Sequence, residues 1–141
     1  MKVKEFEDLP TPRYMTSGSA GMDVYAAINK AYELKPGERS LISSGIHMQI
    51  PEGFEAQIRP RSSLAINSGI TLLNTPGTID SDYRGEIKII MINLSSEIFI
   101  IKRGDRIAQI VFNKVEIPNI EVVQNLDITE RGSGGFGSTG K

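Results

Sequence analysis

The sequence predicts an all-β fold, a jelly-roll sandwich or barrel with one short helix, and three observations carry that prediction. Short apolar runs rich in Ile and Val alternate with turns along most of the chain. Fourteen glycines and seven prolines are spread between those runs instead of being gathered in one linker. Only one stretch carries helix boundary signals, and it is a turn or two long. At 141 residues the chain is the size of one domain and can bury a core.

Taken in order, "MKVKEFEDLP" mixes charges with single apolar residues and has no apolar run of signal-peptide length. No stretch approaches the roughly 18 apolar residues of a membrane span. A soluble, intracellular, cytoplasmic protein without a membrane partner is expected. "SAGMDVYA" is a small-residue turn running into a strand-like Val-Tyr-Ala. In "GIHMQIPEGFEAQIRP", Ile46, Met48 and Ile50 face one way and His47 and Gln49 the other. Pro51-Glu52-Gly53 then turns, and Phe54, Ala56 and Ile58 resume the alternation, which predicts a hairpin. "SSLAINSG" predicts the helix, with a serine N-cap at Ser62 and Gly69 as its C-cap.

"LLNTPGTIDSDYRGEIKI" places a turn at Asn74 to Gly77 and an extended segment carrying Asp80 and Asp82 on one face. "GEIKIIMINL" and "EIFIIKRGDRIAQIVFNKVEI" read as strands around tight turns, and "IEVV" near residue 121 as a further short strand. "KIIMI" and "IFII" are apolar on both faces, which suggests a sandwich interior or a subunit interface. From Thr129 the pattern vanishes into Gly, Ser and Thr. The expected organisation is a β-domain over 1–128 and a mobile glycine-rich tail over 129–141.

Composition narrows the chemistry. A formal net charge of −1 offers no basic field, so no long nucleic acid partner is expected. The absence of cysteine excludes disulfides and thiolate chemistry, and a single histidine, His47, excludes His-rich zinc sites and Ser-His triads. A metal, if used, is a hard oxygen-bound one such as Mg²⁺.

Five segments carry groups suited to a nucleoside polyphosphate. Arg59 and Arg61 precede the helix, whose first residues are Ser62 and Ser63; helix N–H groups and guanidinium forks suit phosphate oxygens. A serine cap with two surface arginines explains the same residues. Asp80 or Asp82, near metal and phosphates, could take a proton from water, although solvated aspartates in a hairpin explain them too. Asp23 could hold Mg²⁺ through water, and Gln109 could reach phosphate or backbone. The tail offers Arg131 for phosphate, Phe136 to stack on a base, and Ser138 and Thr139 as donors, against the plain alternative of a flexible terminus. Gly135 to Lys141 spells G-x-x-x-x-G-K, yet the following Ser or Thr and helix of a P-loop are not in the sequence, so a P-loop is not expected.

Those segments, "AGMDVYA", "PRSSLA", "GTIDSDYRGE", "GDRIAQIVF" and "RGSGGFGSTG", resemble in order the five motifs of the homotrimeric dUTPases, over essentially the whole chain. The resemblance implies a jelly-roll homotrimer with sites between subunits and Mg²⁺-dependent hydrolysis of dUTP to dUMP and pyrophosphate. It implies that Asp80 is the general base, that Tyr83 excludes a 2′-hydroxyl, and that Asn74 with the backbone of Gly77, Thr78, Ile79 and Asp80 reads uracil, Lys88 lying close by. Arg61, Ser62, Ser63 and Gln109 match phosphate ligands, and Asp23 the carboxylate that fixes Mg²⁺ through water. Arg131 would meet the γ-phosphate, Phe136 cover the uracil, and Gly137, Ser138 and Thr139 wrap the phosphates as a lid lent to a neighbour's site. Ser63 departs from the family, many of whose members have glycine there. dCTP deaminases share the fold but lack the Ile-Asp-x-x-Tyr arrangement of Ile79 to Tyr83. A binding module that had lost catalysis would not need Asp80, Arg61 and the tail together.

Overall fold

The computed structural model describes residues 1–135. Among the described residues a 3₁₀ turn at Lys4–Phe6 is followed by nine strands and one α-helix: β1 (Met22–Tyr25), β2 (Tyr32–Leu34), β3 (Arg39–His47), β4 (Phe54–Arg59), α1 (Ser62–Ser68), β5 (Ile70–Leu72), β6 (Gly77–Ile79), β7 (Glu86–Asn93), β8 (Phe99–Ile101) and β9 (Arg106–Lys114). All pairings are antiparallel, in a four-stranded sheet β1-β9-β4-β6, a three-stranded sheet β3-β7-β5 and the pair β2-β8. This is the predicted all-β jelly-roll sandwich. No helix among the described residues is long and apolar enough to cross a membrane.

The core follows from strand alternation. Along β7, Ile87, Ile89 and Met91 point inward and are at most 2% exposed, whereas Lys88, Ile90 and Ile92 face out. They meet Val24 of β1, Ile58 of β4 and Ile107 and Ile110 of β9 in one apolar cluster between the sheets. Asn93 is fully buried at the end of β7 and satisfies its whole amide. Its Nδ2 donates to Leu34 O and Glu97 O, both at 2.8 Å, while Oδ1 accepts from the Ser95 amide and hydroxyl. An Asn93→Ala variant leaves these groups unpaired in a dry site and should lose about 3 kcal/mol of stability. Urea unfolding reads this directly, and an unshifted midpoint would contradict it.

Positive-φ glycines end elements where the sequence placed its turns: Gly53 (φ 80°) before β4, Gly69 (φ 63°) as the α1 C-cap and Gly104 (φ 79°) before β9. The Arg-Gly-Asp run here is a turn whose Arg103 clasps the N-terminal segment. Its guanidinium reaches Asp8 Oδ1 at 2.6 Å and lies 4.9 Å above the Phe6 ring. That hydrogen bond holds the Asp8 carboxyl below its usual range.

Four expectations are corrected. The alternating runs flanking Gly53 do not form a hairpin, because β3 pairs with β7 while β4 pairs with β6 and β9 in another sheet. The turn carries the chain from one layer to the other. Residues 120–123 form no strand; Val122 stands fully exposed, with no strand of its own chain to pair with. Ser62 is the first helical residue and Arg61 the N-cap, with no side-chain capping bond. Asp80 and Asp82 do not share an extended face, since residues 80–83 form a turn closed by Tyr83 N donating to Asp80 O at 3.2 Å.

Candidate active site

The sequence-predicted residues fall into two clusters. The first is built by register across the four-stranded sheet. Asp23 of β1 lies opposite Gln109 of β9, and Gln109 opposite Arg59 of β4. The chain leaving β4 therefore brings Arg61 over Asp23. Arg61 Nε lies 3.0 Å from Asp23 Oδ1, and Arg106 Nη1 lies 3.1 Å from Oδ2. Gln109 Nε2 donates to Pro60 O at 2.9 Å and so ties β9 to the helix approach. A Cβ on Gly21 would fall 2.6 Å from Gln109 Oε1, so glycine is what lets this amide pass. One carboxylate faces two guanidiniums, and the uncapped first turn of α1 adds free N–H groups beside the exposed Ser62 and Ser63. The net field is positive and suits an anion. Ser63 is exposed, so its side chain crowds nothing in this chain.

As to a metal, each Asp23 oxygen already accepts from an arginine, and no group of three or more His, Cys, Asp or Glu side chains converges among the described residues. A cage made by this chain alone does not fit Mg²⁺. Attachment through water does, because a carboxylate oxygen paired once keeps a second acceptor position.

The second cluster surrounds the β6–β7 connection. Pairing with β4 fixes β6, Gly77 opposite Ile58 and Ile79 opposite Ala56. Thr78, Ile79, Asp80, Tyr83, Glu86 and Lys88 then line a cavity of about 430 Å³ together with Leu41. The Tyr83 hydroxyl donates to Glu86 O at 2.9 Å, which lays the ring along the cavity. Asp80 and Thr78 also border a larger cavity of about 690 Å³ that includes Asp82, Arg84, Glu52 and Glu55. Asp80 thus stands on the ridge between the two, while Asp82 belongs to the larger alone. Asn74 lies beneath Gly77, its Nδ2 at 3.0 Å from where a glycine Cβ would sit, and does not line the smaller cavity.

The chain does not unite the clusters. Asp23 and Ile79 occupy opposite edges of the sheet, separated by about 14 Å of sheet width and about 10 Å of strand length. Arg131 Nε donates at 2.8 Å to Gly134 O within its own segment. Phe136, Gly137, Ser138 and Thr139 lie outside the described residues. Two contributors escaped the sequence reading, Arg106 and Glu86. Both were visible inside the motifs, but only strand register reveals that Arg106 shares Asp23 and that Glu86 holds Tyr83.

Known proteins give a consistent comparison. A family model described as dUTPase matches residues 7–140. A deoxyuridine 5′-triphosphate nucleotidohydrolase of Thermoanaerobacter sp. (strain X514) is 58% identical, over 99% of this chain and 94% of the relative. Another, from Fusobacterium nucleatum subsp. nucleatum, is 55% identical over 100% and 97%. Among solved structures, a mutant dUTPase of Staphylococcus bacteriophage 80alpha with dUpNHpp superposes with a TM-score of 0.81 at 24% identity, covering 96% of this chain and 94% of that one. A mutant dUTPase from phage phi11 of S. aureus, described with a structural Mg(II) ion, gives a TM-score of 0.75 at 22% identity over 86% and 94%. At those identities the structural likeness speaks for the fold.

Proposed function

We infer the reaction from one premise: the chain belongs to the dUTPase family. It hydrolyses dUTP to dUMP and pyrophosphate, removing dUTP from the nucleotide pool and supplying dUMP for thymidylate synthesis. The observation that carries this reading to particular residues is the cavity lined by Thr78, Ile79, Asp80 and Tyr83 together.

Uracil enters edge-on against the backbone of Gly77 to Asp80, with Asn74 bracing Gly77 from below and Lys88 nearby. Tyr83 lies under the deoxyribose, where a 2′-hydroxyl has no room. Asp80 orients a water and takes its proton as the oxygen bonds to the α-phosphorus; the bond from that phosphorus to the α,β-bridging oxygen breaks, and pyrophosphate leaves. Arg61, Ser62, Ser63, Gln109 and the free N–H groups of α1 hold the phosphates. Mg²⁺ carried by the triphosphate and met by Asp23 through water would offset phosphate charge and fix its geometry. Arg131, Phe136, Gly137, Ser138 and Thr139 act as a lid that excludes water.

Clusters on opposite edges of one sheet favour a homotrimer whose sites lie between subunits, each site taking one cluster from one chain and the other from its neighbour. Apolar side chains left exposed on the single chain support that assembly. Leu41 (57% exposed) lies opposite Ile90 on the outer face of β3-β7, and Ile100 of β8 is 48% exposed. Past β9 the chain extends with Ile117, Ile120, Val122, Leu126 and Ile128 all uncovered. A soluble cytoplasmic enzyme acting on free nucleotide fits this reading.

Pyrophosphate release with Mg²⁺, compared for dUTP, dTTP, dCTP and UTP, tests the reading. Turnover of dUTP alone, to dUMP, is expected, and excess EDTA should abolish it. Ammonia from dCTP would replace this reading with deamination.

A further inference from the structure

The pose of Tyr83 is set at the cavity's β7 end, where Gly85 and Glu86 meet its ring and hydroxyl. Gly85 leaves its ring room: a Cβ there would fall 2.3 Å from the Tyr83 hydroxyl and 2.5 Å from Cζ. The hydroxyl donates to the main-chain oxygen of Glu86 at 2.9 Å, so the ring goes where the Glu86 backbone goes. That backbone sits where the β3–β7 ladder is irregular. Ser43 opposes Lys88 and His47 opposes Glu86, which leaves three residues of β3 against one of β7.

A bulge of this kind removes ladder bonds that would otherwise set the β7 N-terminus, and the Glu86 side chain supplies replacements. Its Oε1 accepts from the Gly45 amide at 2.9 Å and from the Ser43 hydroxyl, and Lys88 Nζ lies 3.8 Å from Oε2. Gly45 presents that amide only because its φ is +66°, with Phe6 and Ala27 side chains 3.0 and 3.1 Å from where a Cβ would be. On the other side of Gly85, His47 Nδ1 donates to Arg84 O at 3.0 Å.

We propose that Glu86 is a positioning residue for sugar discrimination: by fastening its carboxylate to the β3 bulge, it fixes the carbonyl that holds Tyr83 against the 2′ position. The proposal rests on the reading of Tyr83 given above. Glu86 borders the cavity, but its carboxylate is bonded to Ser43 and Gly45 of the β3 bulge, so it acts through Tyr83. What it contributes is an acceptor at Oε1, not a charge at the chemistry. Glutamine retains the acceptor and alanine does not.

The test is the ratio of kcat/KM for dUTP to that for UTP in the full chain, with thermal unfolding alongside. Glu86→Ala should lower the ratio about tenfold or more, chiefly by admitting UTP. Glu86→Gln should restore the ratio, and Ser43→Ala should lower it in part, which keeps the test open should Glu86→Ala not fold. A structural role alone would shift unfolding and leave the ratio in place. Tyr83→Ala separates the two layers. If it loses discrimination while folded Glu86→Ala keeps the wild-type ratio, the positioning role is overturned and the Tyr83 reading stands. If Tyr83→Ala itself discriminates normally, the Tyr83 reading fails and the proposal with it. Glu86→Gln as defective as Glu86→Ala would overturn the acceptor account.

Discussion

Asp80→Asn should lower kcat for dUTP by about 10²–10⁴-fold while leaving KM close to wild type. The substitution is nearly isosteric and removes the carboxylate's charge and its proton-accepting power. It leaves the turn in place, because residues 80–83 are closed by the main-chain bond from Tyr83 N to Asp80 O, not by the Asp80 side chain. Among the described residues that side chain makes neither a hydrogen bond nor an ion pair, so no stabilising partner is lost. The effect therefore reports chemistry. Pyrophosphate release gives kcat, and dUTP binding to the variant shows that the cavity is intact. Asp82→Asn is the paired control and should stay near wild type, since Asp82 borders only the larger cavity. Activity surviving in Asp80→Asn and lost in Asp82→Asn would transfer the base to Asp82.

The choice between these two aspartates shows what the sequence could and could not say. D-x-D spacing suggested one shared face, which holds for a strand and fails for a turn. Nothing in the residue types marks where β6 stops at Ile79, because its end is set by the length of its pairing with β4. The same limit explains the missed hairpin. Alternation around Gly53 was legible, with Ile46, Ile50, Ala56 and Ile58 all buried, but alternation names a buried face and not a partner. At residues 120–123 the apolar pattern was real and the strand was not, since a strand needs a partner and among the described residues none pairs with this segment. Turns were read well because positive φ at Gly53, Gly69 and Gly104 is a local demand. Arg61, Gln109 and Asp23 were legible as a set, whereas the second arginine on Asp23 and the hold of Glu86 on Tyr83 depend on register across strands far apart in sequence.

That separation has a direct consequence in mixed oligomers. Arg61→Ala removes the fork proposed for phosphate and should cost about 10²-fold or more in turnover. Asp23 keeps Arg106 at 3.1 Å in that variant, so no bare carboxylate is left to unfold the cluster. Asp80→Asn fails for the separate reason given above. If a site takes its hairpin from one subunit and its phosphate ligands from the next, co-refolding equal amounts of the two inactive chains pairs an intact Asp80 with an intact Arg61 in about a quarter of all sites. Activity should rise from near zero to about that fraction of wild type, with size-exclusion chromatography confirming trimers. Mixed trimers that stay inactive would place both clusters of a site within one chain. The sheet geometry argues against that outcome, because Asp23 and Ile79 lie on opposite edges of a four-stranded sheet and its width does not close when substrate binds.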